Sequence, residues 1–570
     1  MSLNPDAALQ RVLLAEQSKP WRTERVGTIA RLLAEVAERF LQHGDLLAHQ
    51  TAERMGVTPG EVWLETIFPS VWGLLSTRRG LLASARRHKP LQDVKPFPRL
   101  RQRTEFGGRP ALKVLPATLL ERLLLPGFSG YVLLKETSGG TRKASGPQAT
   151  SRAGGLALCL LPFNLASIGV LDVAHLLCVR QQRVVAKVSE KVEFVGPLLE
   201  QILAPLIEAD ALQVVFGGPE VGASLAARPE FSHIHLTGSA RTAATVAQIG
   251  GPEKLTSELG GATLAIVFPD ALATDAGRRA VARQIAFGVL ANNGQHCVSF
   301  QIVAVPASDE LAFAELLWHE LRLAASRKGG TIAGRKLVDA AVARRLEAWT
   351  ASLAAAGARS TPSRPQAHSE YFPACLVQGI SETMAIFSEE AFGPVAGLLP
   401  LPVESFAEQA KAVANSARLS GDLGISLFTS HPHSSGIRQL ALQLRHGVVT
   451  INTYPGVAFA TSLPWGAGPA QMSGHGWTHN YSLLPEDELE KVVLTAPLGR
   501  KGFGPIRWED PWLLNTSGEA TAGFGRALVQ LTLAYFLKRP WQLAQAQPAL
   551  IRAIRRREAA ARRTDRMGTQ

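Results

Sequence analysis

The feature that most constrains the fold is a rhythm. Between residues 155 and 239 four short β-prone runs, GLALCLLPF, QRVVAKVS, ALQVVFGG and FSHIHLTGS, are separated by stretches long enough for a helix, such as EKVEFVGPLLEQILAPLIE. Antiparallel strands can be joined by a tight turn, whereas parallel neighbours need a crossover of roughly a dozen residues or more. The spacing therefore predicts a parallel sheet covered by helices on both faces. A second alternating block runs from ATLAIVFPD through QIVAVPA to VAGLLPL and GVVTINT. Two α/β domains are expected, and a chain of 570 residues is long enough to hold them with further elements to spare.

The flanking segments have their own character. From Leu9 to about Leu91 apolar residues recur at three and four spacing, as in RLLAEVAERFLQHGDLLAHQTAERMG, which predicts scaffold helices with Gly56 as a stop. Residues 126–153 are rich in Gly, Ser and Thr around one strand-like run, which suits a projecting hairpin or a linker. Residues 354–369, AAAGARSTPSRPQAHS, are expected as an exposed loop inside the second block. The net charge is +13, and residues 501–570 hold 12 Lys and Arg against five Asp and Glu, so the tail is a separate electrostatic object. Its apolar run Ala527–Leu537 is broken by Gln530 and Thr532 and is about half of the ~20 residues a membrane-spanning helix requires. Two readings remain: a helix docked on the protein's own surface, or one lying in a bilayer interface beside the Arg-rich end, a peripheral membrane contact. No nucleic-acid recognition motif accompanies the basic charge, so no nucleic-acid partner is expected. The four cysteines show neither a CxxC pair nor a Cys/His ligand spacing, which argues against a disulfide framework and a metal site. Asp6 and Gln10 interrupt the stretch where a signal peptide needs an apolar core, so the expected location is cytoplasmic.

Several residues could carry chemistry, and each has a plainer alternative. Cys297 lies in LANNGQHCVSF, a polar loop that offers access, whereas Cys159 and Cys178 sit in apolar runs that read as core. A catalytic thiol also needs a route to thiolate and donors aimed at the oxygen of the carbonyl it attacks. Glu258 precedes Leu259-Gly260-Gly261, where glycines let the backbone pass close to another group and leave the carboxylate facing open space. HIHLTGSARTAATVAQIG reads as strand, turn at Gly238-Ser239, and helix, whose first N–H groups can hold a pyrophosphate although the string is not GxGxxG. Lys187 and Glu190, in VVAKVSEK, follow a β-prone run and suit either ribose hydroxyls or a surface ion pair. Asn164, in LLPFNLAS, is either an oxyanion donor or a helix cap.

In chain order PFN, AKVSE, GGPEVG, LTGS, ELGG, NNGQHC and EEAFGPV resemble the motif series of the NAD(P)-dependent aldehyde dehydrogenase superfamily, over about residues 25–485. The resemblance implies an α/β fold with a Rossmann-type cofactor domain, an α/β catalytic domain and a small β oligomerisation ribbon. It divides the chain into a cofactor domain at 1–125 and 151–259, a ribbon at 126–150 and 485–497, a catalytic domain at 260–484 and a basic extension at 498–570. It makes Cys297 the nucleophile that attacks an aldehyde, Glu258 the base that activates the hydrolytic water, and Asn164 with the Cys297 N–H the oxyanion hole. Lys187 and Glu190 match the residues on the adenine ribose. Gly218, Gly238 and Ser239 match the cofactor loops, and Glu390 with Phe392 match the residues on the nicotinamide ribose. A carboxylate at 190 accepts from a 2′-hydroxyl and repels a 2′-phosphate, which favours NAD over NADP. A homodimer or homotetramer is implied by the ribbon. The sequence departs from the family pattern at Ala166, Ala243 and Ala262, where proline, glycine and lysine are usual. The alternatives are a coenzyme A-dependent acylating enzyme, which generally lacks the base that Glu258 matches, and a non-catalytic membrane-associated scaffold of the same fold.

Overall fold

The computed structural model describes residues 4–94, 102–135, 154–165, 169–327, 334–468, 476–478, 486–499 and 518–567. Residues 136–150 of the expected ribbon, 151–153 of the expected cofactor domain and 500–517 near the start of the expected extension lie outside them.

The first alternating block forms a five-stranded parallel sheet in the order Leu212–Gly217, Arg183–Ser189, Leu156–Leu160, Phe231–Gly238 and Leu255–Leu259. Both faces are covered, as the continuous apolar runs require. Ala157, Cys159, Val184 and Ala186 pack into the core formed with helices Val26–Met55, Val170–Cys178 and Gly196–Glu208. Leu158, Val185, Val215 and Ile234 point the other way, against Pro5–Ser18 and Ala240–Gly250. Chain order runs outward from Leu156–Leu160 to one side and then returns to Phe231–Gly238 on the other. The crevice at the carboxyl ends of these two strands is a topological switch point, where open α/β sheets bind ligands.

The second block is one eleven-stranded sheet. Its parallel centre holds Leu489–Thr495, Val448–Ile451, Gly424–Phe428, Thr263–Val267, Phe300–Pro306, Val395–Leu401 and Cys375–Gln378. Antiparallel strands finish both edges. On one edge Ser129–Leu134 pairs with Leu489–Thr495, which is the described part of the expected ribbon. Two further strands, Arg109–Leu115 and Gln102–Phe106, extend that edge. By pairing, residues 102–115 thus join the larger sheet, although the expected division groups them with the cofactor domain. Gly107 and Gly108, both at positive φ (57° and 80°), supply the tight hairpin turn that makes this extension possible. On the other edge Arg359–Thr361 pairs with Cys375–Gln378, so the expected loop 354–369 contains a short edge strand.

The N-terminal helices form as their apolar spacing predicts. Val26–Met55 ends at Gly56, whose left-handed φ of 65° lets its N–H close on Ala52. The extension docks on these helices. Helix Gly518–Phe536 buries Phe524, Leu528, Val529, Leu533 and Ala534, so the apolar run expected either on the protein or on a bilayer is turned inward. Trp63 sits between Gly44 and Gly525, where an added Cβ would come within 2.4 and 2.6 Å of its side chain. Phe536 meets Trp72 edge-on with ring centroids 5.6 Å apart, and Arg539 and Arg526 pair with Glu38 and Asp45. Among the described residues no helix is long and apolar enough to cross a membrane.

Candidate active site

The loop before Cys297 is built by three successive left-handed residues, Asn292 (φ 45°), Asn293 (φ 56°) and Gly294 (φ 78°). Side chains rarely tolerate this conformation, and Asn is among the residues that do. Buried contacts hold it in place. The Asn293 amide donates to the carbonyls of Met55, Gly56 and Lys336, and its oxygen accepts from Arg335. A Cβ on Gly294 would come within 2.3 Å of Gly393, so the NNGQHC loop rests on the backbone of the EEAFGPV segment. The Asn164 amide donates to the Gln295 carbonyl at 2.8 Å, and Asn292 donates to the Asn164 carbonyl at 2.7 Å. Asn164 therefore ties the end of strand Leu156–Leu160 to the thiol loop.

Cys297 itself is half-buried, unlike Cys159, Cys178 and Cys375. Burial pushes its thiol pKa up, and the charges of Glu390 and Glu258 push it further, so the resting group is a thiol that needs a base. His296 and Tyr454 close one side, with His296 Nδ1 3.1 Å from the Tyr454 hydroxyl.

Glu258 lies one residue from the end of strand Leu255–Leu259 and is 6% exposed. Here the structure departs from expectation: the carboxylate does not face open space but packs toward Asp172 on helix Val170–Cys178. Its Oε1 has no hydrogen-bond partner among the described residues. Burial, then the nearby Asp172 charge, holds its pKa well above the ordinary carboxylate range. Asp172, His235 and Glu258 each offer an atom within 4.8 Å of the others, a grouping that spacing along the sequence cannot reveal. The available signal was Asp172 itself, a single acid in the apolar string VLDVAHLLC.

The glycines after Glu258 serve close approach. A Cβ on Gly260 would meet the Glu390 carboxylate at 2.0 Å, and one on Gly261 would meet the Ser420 carbonyl at 2.6 Å. Glu390 is thus laid directly over the ELGG backbone. Its Oε1 is likewise buried with no partner among the described residues, and burial pushes its pKa up to about 8 against the opposing pull of Arg345. Phe392, at a left-handed φ of 49°, stacks edge-on against Phe163 at 5.8 Å, next to Asn164.

The remaining sequence-predicted residues line the carboxyl edge of the five-stranded sheet. Gly218 caps strand Leu212–Gly217, and an added Cβ there would meet Glu220 at 2.5 Å and Glu190 at 2.8 Å. Burial lowers the Lys187 pKa, while Glu190, Glu220 and Glu193 pull it back up. Glu220, which sequence reasoning passed over, also accepts from the Gly218 N–H at 3.2 Å. Gly238 and Ser239 form the exposed turn into helix Ala240–Gly250, with the Ser239 hydroxyl accepting from the Thr242 N–H.

These are the features of an α/β protein with a topological switch point in its parallel sheet and a cysteine loop tied to the neighbouring strand end through Asn164. The chain belongs to the aldehyde dehydrogenase family, whose sequence profile matches residues 133–483. It is 30% identical over 333 residues to (Z)-2-((N-methylformamido)methylene)-5-hydroxybutyrolactone dehydrogenase of Acinetobacter baylyi, covering 54% of this chain and 62% of that one. It is 29% identical over 265 residues to the mitochondrial succinate-semialdehyde dehydrogenase of Rattus norvegicus, covering 45% and 47%. The chain thus spans about half to two-thirds of the length of the curated relatives it matches. Its fold is similar to that of a Mycobacterium tuberculosis aldehyde dehydrogenase complexed with NAD+, with a TM-score of 0.64 at 21% identity over 87% of this chain and 91% of that one.

Proposed function

We propose that this chain oxidises an aldehyde to the carboxylic acid with NAD as hydride acceptor. The observation that carries the reading is the 2.8 Å tie from the Asn164 amide to Gln295, which holds an oxyanion donor beside the Cys297 loop. An amide nitrogen has two N–H donors, so one fixes the side chain and the second serves the oxyanion together with the Cys297 N–H. The Cys297 sulfur adds to the aldehyde carbon and its proton passes to a base. Loss of hydride from the resulting thiohemiacetal gives a thioester. Water then adds to that carbonyl as Glu258 takes its proton, and the carbon–sulfur bond breaks to release the acid. A carboxyl with a raised pKa suits a base of this kind, since it can hold the proton it collects near neutral pH.

The residues present fit the dinucleotide. The buried Glu390 oxygen that has no partner among the described residues would face the nicotinamide ribose, and the Gly218 turn, the Ser239-capped helix start and the Lys187/Glu190 pair, all at the carboxyl ends of the five-stranded sheet, would hold the rest. Bound there, NAD supplies the hydride acceptor. The Mycobacterium tuberculosis structure in complex with NAD+ and the dehydrogenase names of the relatives support the class of reaction.

The test mixes purified protein with NAD and medium-chain, long-chain or aromatic aldehydes, with and without coenzyme A, and follows absorbance of the reduced cofactor. Turnover without coenzyme A is expected; acceleration only in its presence would make the chain an acylating enzyme instead. C297A should lose more than about a thousandfold in turnover, and parental activity in that variant would remove the nucleophile.

We infer further that the protein is cytoplasmic, assembles as a homodimer or homotetramer, and touches membranes through its last helix. Trp541 (61% exposed) and Ile551 (41% exposed) lie on helix Pro540–Met567 with Arg552, Arg555 and Arg556, an apolar and basic combination suited to an anionic interface. Sedimentation velocity tests the assembly. Flotation with anionic vesicles tests the contact, and equal flotation of the parent and of a variant with Ser at 541 and 551 would end it.

A further inference from the structure

A buried polar track runs from Glu258 across the sheet, between helix Val170–Cys178 and strands Phe231–Gly238 and Leu255–Leu259. Alternate residues of a strand share a face. His233, His235 and Thr237 therefore share one face, the last two reaching Asp172, and Thr256 and Glu258 lie beside His235 and Thr237 in register. The hydrogen bonds along this track fix who donates. Gln182 Nε2 donates to the Gly154 carbonyl and the Ser232 hydroxyl, each at 3.1 Å, which turns its oxygen toward His233 Nδ1 at 3.0 Å. An amide oxygen only accepts, so His233 Nδ1 carries the proton.

Burial and the Arg180 charge hold His233 neutral, so its Nε2 accepts from the Thr256 hydroxyl at 2.7 Å. The Thr256 oxygen, having donated, accepts from His235 Nδ1 at 3.0 Å. In a neutral His235 the Nε2 is then an acceptor, 3.9 Å from Asp172 Oδ2 and 3.5 Å from the Thr237 hydroxyl, which itself donates to Asp172 at 3.1 Å. The imidazole and the Glu258 carboxylate offer atoms within 4.8 Å of each other. A rotation of the Glu258 side chain or one bridging water closes such a gap.

We propose that His235 takes the proton that Glu258 collects from the hydrolytic water, with Asp172 as the counter-charge of the imidazolium so formed. This rests on the reading of Glu258 as the base. In the step the Glu258 O–H breaks and a His235 Nε2–H forms, no electrons are gained or lost, and the proton leaves to water when the acid product departs. Asp172 and Glu258 repel each other at this distance, and an imidazolium formed between them relieves that repulsion until its proton leaves to water. Among the described residues the other titratable and charged groups bearing on the pocket are His233, with His175, Arg180 and Glu486 behind it, Cys159 from strand Leu156–Leu160, and Cys297 from its loop, itself under the charge of Glu390.

The test uses the full chain with NAD and an aldehyde it turns over. H235Q keeps a donor for Thr256 but cannot take up a proton. Its steady-state turnover should fall about ten- to a hundredfold, while the first-turnover burst of reduced cofactor, which precedes hydrolysis, keeps its amplitude. Added imidazole should restore part of the turnover of H235A, a response that a merely structural role would not give. D172N removes the like charge beside Glu258, so the acid limb of its turnover profile should move to lower pH by about one unit; this carries the test if neither histidine variant folds. Parental turnover in H235Q, or an acid limb unmoved in D172N, overturns the relay. E258Q separates the two ideas: if it turns over like the parent the base itself is misassigned, whereas an inactive E258Q beside a parental H235Q sinks the relay alone.

Discussion

Helix Val170–Cys178 faces two buried carboxyls with opposite fates, Glu486 through His175 and Glu258 through Asp172, three residues earlier. His175 binds Glu486 at 2.8 Å, and Arg180 adds a bidentate pair at 2.7 and 2.6 Å, so the Glu486 carboxyl is held far below its ordinary range. Asp172, one turn earlier, faces Glu258 and pushes that carboxyl the other way. Burial is similar in the two places and only the partners differ. A buried carboxylate met by cations is scaffold; one met by a second carboxylate is stability given up for chemistry.

The largest expected effect comes from breaking the paired end. R180A leaves Glu486 buried without its main cation and should destabilise the protein by about 3 kcal/mol, read by denaturant unfolding, with turnover per folded molecule unchanged. E258Q should do the reverse, losing turnover while holding or gaining stability. The pH dependence of the two ends has opposite sign. Glu486 has a lowered folded-state pKa, so its contribution is present above the ordinary carboxylate range and is lost in acid. A loss of stability in E258Q as large as that in R180A would end the comparison.

Glu390 gives an intermediate effect that sharpens it. Its pKa is raised from about 4.5 to about 8, so the folded state holds the proton more tightly than the unfolded chain does. Stability should therefore decline as pH rises between those values, and E390Q should abolish the decline. Melting temperatures of parent and E390Q should coincide in mild acid and separate toward alkaline pH, with the variant higher. Parallel curves would mean that Glu390 is paired after all.

How much of this was legible beforehand follows from the range of each signal. The β-prone runs and the helix-length gaps between them are local, so both α/β blocks and the family could be read directly. The motifs around Asn164, Cys297 and Glu390 carry glycine and asparagine where backbone conformation demands it, and the structure gathers them through Asn164–Gln295 and Gly294–Gly393. What could not be read depends on residues that meet only in the fold. Asp172 and His235 are separated along the chain by two strands and two α-helices. The hairpin at Gly107-Gly108 shows its turn but not the sheet it extends. Trp63 and Gly525 lie at opposite ends of the chain, so the inward turn of the last helices left no local trace.

The smallest effect concerns the exposed rim of the crevice, where neither pairing nor burial dominates. Glu190, Glu193 and Glu220 all bear on Lys187, and Glu190 and Glu220 both touch the space over Gly218. A 2′-phosphate entering there meets several like charges, but Glu190 is exposed and water screens it, so each pair is worth only about 1 kcal/mol at contact distance. E190Q should therefore raise the ratio of kcat/KM for NADP over NAD by about fivefold, and the gain should shrink as salt is added. An equal gain in E220Q would make the preference a property of the rim's summed charge. No gain in either would assign it to the shape of the pocket, and the carboxylates at this edge would then belong with Glu486, holding Lys187 in place rather than choosing the cofactor.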